Sequence, residues 1–153
     1  MSTQIHLAKP GDLDRLEPLV AAFHAEMGLD TDEAHRRAAL MPLLDGSPHG
    51  AVYIAGPRRA PVGYAAVAWG WSIEFGGLDG YLDEFYVRPG VRGRGIGTEM
   101  ITALCKVLGA AGVTGLSLEV DRADEAVRAL YRKLGWVERD RYMLITRHLT
   151  KAG

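Results

Sequence analysis

Cysteine is nearly absent: Cys105 stands alone among 153 residues, so no internal disulfide is expected and a reducing compartment is implied. Charge of one sign is lacking as well, since 18 Lys and Arg against 19 Asp and Glu leave a net charge of −1. No global field draws the chain to nucleic acid or to an anionic membrane. Apolar runs are broken by Gly, Arg or Asp well before membrane-spanning length. No opening segment joins basic residues, an apolar run and a cleavage site. These absences predict a cytoplasmic protein with neither a nucleic-acid nor a membrane partner. The five histidines (His6, His24, His35, His49 and His148) have no ligand spacing to one another or to Cys105, so no metal site is expected.

What is present is an ordinary globular balance, 48% hydrophobic and 24% charged. With no repeat, low-complexity tract or long linker, residues 1–153 are expected to form one domain. Ile5–Ala8 reads as a first strand. Asp12 is a candidate cap for a helix running to about Met27, with Leu13, Leu16, Leu19, Val20 and Phe23 on one face. A second helix is expected from Asp30 or Thr31 to Leu44. Ala51–Ala55 and Val62–Ser72 then suggest an antiparallel hairpin, followed by a strand over Tyr81–Val87. Ile96, Met100, Leu104 and Leu108 recur every four residues, which predicts a helix packed on a sheet. Leu116–Val120 reads as a strand, Asp124–Leu134 as a helix, and Val137 with Tyr142–Ile145 as a final hairpin. Cys105 falls in the apolar pattern of its helix and is expected to be a buried thiol.

The densest signal lies between strand and helix, at Arg92-Gly93-Arg94-Gly95-Ile96-Gly97. A glycine loop opening a helix offers backbone N–H groups and the positive end of the helix dipole to an anion. Arg88, Arg92 and Arg94 add positive charge, so a phosphate or pyrophosphate is the natural guest. A Walker loop would need Lys before Ser or Thr, and none precedes Thr98. A dinucleotide fingerprint would need glycine where Thr98 stands. A turn with solvated arginines is the minority reading.

Two motifs carry a resemblance. The pattern Arg92-x-x-Gly95-x-Gly97 after a strand resembles the acyl-CoA signature of the GNAT N-acetyltransferase superfamily. Ala129-Leu130-Tyr131-Arg132-Lys133-Leu134-Gly135-Trp136 resembles that family's later "LY-x-KLGF" segment. The resemblance covers essentially the whole chain. It implies an α/β acyl-CoA N-acyltransferase fold: a seven-stranded mixed sheet, splayed at its centre and flanked by about four helices. It implies acetyl-CoA in the splay, with Phe85, Tyr86 and Val87 along the pantetheine arm. Arg92, Gly93, Arg94, Gly95, Ile96, Gly97 and Thr98 would then meet the pyrophosphate. A homodimer is typical of the superfamily. Where the family commonly has Asn, this chain has Asp124, which is read as a helix cap instead of a cofactor contact.

Acetylating an amine requires removal of its proton and protonation of the departing thiolate. The resemblance assigns the acid to Tyr131. For the base, Asp83 and Glu84 lie on the strand feeding the loop, and alternation is expected to send them to opposite faces. Tyr81–Val87 also resembles the "YLEDFFV" stretch of spermidine/spermine and thialysine acetyltransferases, with the two acids exchanged. Asp83, acting directly or through water, is ranked above Glu84. Glu119 is an acid on a strand edging the splay. Trp69, Trp71, Phe75 and Tyr81 beside Glu74, Asp79, Asp83 and Glu84 suit a small cationic primary amine such as a polyamine, diamine or amino acid. The competing reading is a non-catalytic acyl-CoA sensor on the same scaffold.

Overall fold

Five strands make one sheet in the order β1-β2-β3-β4-β5 in the computed structural model, which describes residues 3–150. They are β1 (Ile5–Leu7), β2 (Gly50–Ala55), β3 (Gly63–Ser72), β4 (Gly77–Val87) and β5 (Val113–Ser117). Neighbours from β1 to β4 pair antiparallel. The last pair, β4 with β5, is parallel and is joined through helix α3 (Ile96–Ala110). Two more helices, α1 (Leu13–Glu26) and α2 (Glu33–Leu44), stand between β1 and β2 in the chain. The chain forms two compact units, one ending at Glu119 and one starting at Val120. The sheet and these three helices belong to the first.

Apolar side chains fill both faces of the sheet. Leu16, Leu19 and Val20 of α1 and Leu40 and Leu44 of α2 bury against Val52, Ile54, Tyr64, Ala66 and Tyr86. Met100 of α3 buries with Ala55 and Val87, and Phe85, Val91 and Ile96 pack beside them. Removing such area from water is the main stabilising term, about 1.5–3 kcal/mol for each large side chain.

Element boundaries depart from expectation where polar groups find other partners. Asp12 stands at the start of α1 but makes no side-chain cap. Its carboxylate turns back to the Lys9 N–H at 2.9 Å and to Arg15 at 2.9 Å. The cap of α2 is Asp32, neither Asp30 nor Thr31, and it accepts from the His35 N–H at 2.8 Å. β4 begins four residues before the expected Tyr81, because Gly80 fits under its neighbours: a Cβ there would come within 3.1 Å of the Leu116 side chain. β5 starts at Val113, directly after the left-handed turn at Gly112, and stops at Ser117 instead of reaching Val120. Cys105 is exposed on α3, not buried.

The second unit contains α4 (Glu125–Lys133). Asp124 caps it by accepting from the Val127 N–H at 3.1 Å, as expected. The expected final hairpin over Val137 and Tyr142–Ile145 is absent: no strand forms among the described residues after Gly135. Polar groups of that stretch are engaged locally instead. Glu138 pairs with Arg128 at 2.8 Å and Arg132 at 2.5 Å, and the Asp140 carbonyl accepts from Arg122 at 3.2 Å. The sheet therefore has five strands, not seven, among the described residues. Among those residues, no helix is long and apolar enough to cross a membrane.

Candidate active site

The sheet opens between β4 and β5. Their pairing runs from Leu78↔Val113 to Tyr81↔Ser117 and goes no further, although β4 continues to Val87. The residues expected to matter on β4, from Asp83 to Val87, thus all lie beyond the last rung. A second irregularity falls at the same point. Ala66 pairs with Glu84 and Val67 with Leu82, so Asp83 sits in a register shift without a partner on β3. Such a bulge interrupts strict alternation and re-aims side chains. The expected opposite facing of Asp83 and Glu84 rests on an alternation that this bulge interrupts, and the charge of Glu84 acts on Asp83.

Glu84 is held at both oxygens. The Tyr64 hydroxyl donates to its Oε1 at 2.8 Å, and His24 Nε2 of α1 lies 2.6 Å from its Oε2. Burial first, and then the charge of Glu84, push the Tyr64 hydroxyl far above its ordinary value, so it stays a donor. Asp83 differs: its residue is exposed and accepts no hydrogen bond from another described residue. Desolvation of its carboxyl, then the charges of Glu84 and Glu119, raise its pKa above the usual carboxylate value, opposed by His24. Across the opening, the Tyr81 hydroxyl donates to Glu119. Tyr81 is itself raised by burial, then by Glu119. A raised, unengaged carboxylate beside fixed negative charge can accept a proton from a cation.

At the far end of β4 the chain turns through a short 3-10 segment, Pro89–Val91, into the glycine loop. Gly93 and Gly95 both lie in the left-handed region, at φ 78° and 80°. Gly95 occupies the N-cap of α3, and no side chain caps that helix. Residues with a Cβ enter this conformation at a cost, so the two glycines permit the turn. Ile96, Gly97 and Thr98 form the first turn of α3, where N–H groups lack intrahelical acceptors. Gly97 lies over the Phe85 ring. The Arg92 side chain points elsewhere than expected from charge alone. Its Nε donates to the Val87 carbonyl at 2.8 Å, a terminal nitrogen meets Glu26 at 2.7 Å, and the guanidinium lies 5.4 Å from the Tyr86 ring centre. Arg88 donates to the Pro61 carbonyl, whereas Arg94 is exposed.

Tyr131 belongs to the second unit, on α4. Its ring meets Trp136 edge-on at 5.4 Å, and the Trp136 N–H donates to its carbonyl at 2.9 Å. Trp71 is exposed, and Phe75 packs over Gly115. His24 and Tyr64 were not visible as site residues in the sequence. Sixty positions separate His24 from Glu84, and no spacing signals such a pair.

A mixed sheet splayed beside a glycine loop at a helix start defines an acyl-CoA N-acyltransferase fold. Residues 15–136 match the acetyltransferase (GNAT) family, and the chain belongs to that family. Its members generally take the acyl group from acetyl-CoA. Acetyltransferase SG1711 of Sodalis glossinidius (strain morsitans) is 36% identical over 77 residues, covering 48% of this chain. That alignment spans 54% of the relative's own length. An integron cassette protein from the mobile metagenome of Cole Harbour Salt Marsh, HFX_CASS3, superposes with a TM-score of 0.82 at 28% identity, covering 96% of this chain and 91% of that one. The aminoglycoside acetyltransferase HMB0005 from an uncultured soil metagenomic sample gives 0.72 at 25% identity, covering 97% and 100%.

Proposed function

We propose that this chain, acting as one acyltransferase domain over residues 1–153, moves an acetyl group from acetyl-CoA to a small cationic primary amine. The observation that carries the reading is Asp83: an unengaged carboxylate two residues beyond the last β4–β5 rung, with its pKa raised. The donor fits the residues present. Two left-handed glycines and an uncapped helix start suit a pyrophosphate, and the opened edge of β4 from Phe85 to Val87 suits an extended amide-bearing arm.

Acetyl-CoA, when bound, supplies the activated acyl group. Asp83 accepts the proton of the acceptor ammonium, directly or through water, and leaves a neutral nitrogen able to attack the thioester carbonyl. Tyr131 gives its proton to the departing sulfur, a role supported by the family motif around it. It is restored by the second proton that the acylated nitrogen sheds as the neutral amide forms. Glu84 and Glu119 supply the negative surroundings that favour a cationic acceptor over a neutral one. Backbone groups of Gly93–Thr98 hold the pyrophosphate, and the Arg92 side chain braces the loop against Glu26. Residence in the cytoplasm and a homodimeric state belong to the same proposal.

The test is thiol release from acetyl-CoA across a panel of diamines, polyamines, basic amino acids, aminoglycosides and neutral-tailed amines. Turnover with dicationic acceptors at higher kcat/KM than with neutral-tailed ones is expected. Cofactor binding without turnover on any acceptor would instead favour a sensor module.

A further inference from the structure

A hydrogen-bonded chain runs from Glu17 on α1 to Glu84 on β4. Arg36 of α2 pairs through Nε with Glu17, which is only 5% exposed, at 2.7 Å. The same guanidinium donates to the Thr31 carbonyl and, at 3.3 Å, to the Thr31 hydroxyl oxygen. That hydroxyl lies 2.7 Å from His24 Nδ1, and His24 Nε2 lies 2.6 Å from Glu84. Tyr64 completes the chain on the other oxygen of Glu84.

We propose that His24 is a positioning residue: with Tyr64 it fixes both oxygens of Glu84, and so leaves Asp83 as the carboxylate free to meet the acceptor amine. The inference rests on the reading of Asp83 as the base. Its direction follows from donor chemistry. Glu84, as a carboxylate, only accepts, so Nε2 of His24 carries a proton aimed at it. In the neutral ring Nδ1 then accepts from the Thr31 hydroxyl, whose oxygen takes the Arg36 donor. Should His24 become an imidazolium, Nδ1–H donates back to the second lone pair of Thr31 and the Nε2 bond is unchanged. The lock therefore survives either charge state. The groups facing His24 are Glu84 on β4, Thr31 in the α1–α2 turn and Phe23, whose ring centre is 6.1 Å away. Asp83 lies within its electrostatic reach. A released Glu84 would compete with Asp83 for the ammonium.

The experiment compares His24→Ala with His24→Gln, whose amide nitrogen stands near the Nε2 position and donates without charge. His24→Ala is expected to lower kcat by about tenfold or more, with the acetyl-CoA KM within about twofold, and His24→Gln to recover to within about threefold of wild type. Wild-type kcat in His24→Ala, or an equal fall in both variants, overturns the inference. A second readout needs no turnover. Imidazole nitrogen–proton NMR of the wild-type protein should show Nε2 of His24 carrying a proton. An Nε2 without a proton also overturns it. Asp83→Asn separates the two levels. Lost turnover there beside an unaffected His24→Ala sinks the His24 role alone, whereas full turnover in Asp83→Asn sinks the base reading beneath it.

Discussion

The Tyr81 hydroxyl donates to Glu119, bridging the last β4 residue paired with β5 to the chain two residues past the end of β5. The Glu119 charge also bears on Asp83. Partial desolvation of its carboxyl, Glu84 and Glu119 all favour the protonated form of Asp83 over the charged one.

The first prediction is a pH profile. A base must be deprotonated to act, so kcat/KM rises as pH climbs through its pKa. Because that pKa is raised, the acid limb is expected above the pH range of an ordinary aspartate. Glu119→Gln removes one of the negative neighbours, and the limb should then move to lower pH. Initial-rate assays at subsaturating acceptor, with acetyl-CoA saturating, check the direction. A limb that stays in place, or moves to higher pH, removes Asp83 from the base role.

A second prediction concerns Asp12, which is 2% exposed and takes hydrogen bonds from the Lys9 N–H, Arg15 and Arg58. Desolvation raises its pKa, but those partners outweigh it and the net shift is downward. A lowered folded-state pKa stabilises the fold above the unfolded value, and this contribution is lost as pH falls through the folded one. Stability should therefore decline below about pH 4 from this group. Asp12→Asn turns an amide toward two guanidinium groups, and is expected to cost about 1–3 kcal/mol at neutral pH by urea unfolding. The difference between the two proteins should shrink in acid. A constant difference down to acid pH would mean that the carboxylate charge contributes nothing.

Much of this fold was legible because its signals are local. The four-residue period of Ile96, Met100, Leu104 and Leu108 corresponds to α3, and three of those side chains are buried. The β2–β3 hairpin followed from β-rich runs around a turn cluster, and the glycine loop from residue types that only a strand-to-helix turn requires. What stayed hidden depends on tertiary partners. The bulge at Asp83 is a property of two paired strands and has no signature in β4 alone. The Asp12 carboxylate reads as a helix cap, but the Lys9 N–H and Arg15 compete for it locally, and Arg58, 46 positions on, becomes its neighbour only on folding. His24 was lost in a scatter of histidines, since its partner Glu84 becomes a neighbour only on folding. Apolar residues at Val137 and Tyr142–Ile145 suggest a final hairpin, but no strand forms there and Glu138 between them pairs with Arg128 and Arg132 of α4.

The third prediction tests the loop. Gly95 sits at φ 80° and ψ 6° at the start of α3. A Cβ meets no neighbouring atom within 4 Å there, so only the backbone conformation opposes substitution. Gly95→Ala should cost about 1–2 kcal/mol in the left-handed geometry. If the loop relaxes to escape that cost, its N–H groups no longer converge, and the Kd for coenzyme A is expected to rise by about tenfold by calorimetry. An unchanged Kd would place the pyrophosphate elsewhere.

The last prediction concerns Tyr131. Its helix is fixed at both ends: Asp124 caps the start, while Trp136 folds back, its N–H bonded to the Tyr131 carbonyl and its ring edge-on to the Tyr131 ring. The two Trp136 contacts are made by the Tyr131 carbonyl and ring, so Tyr131→Phe preserves them. A structural role for the ring thus predicts little change on losing the hydroxyl, whereas an acid role predicts a large one. We expect kcat to fall by about 10²-fold, the lower end of what a positioned acid contributes, with coenzyme A affinity within about twofold. A thermal midpoint equal to wild type would show that the fall is chemical. Equal turnover in the two proteins would return Tyr131 to a packing role, and the proton for the departing sulfur would then come from another donor or from water.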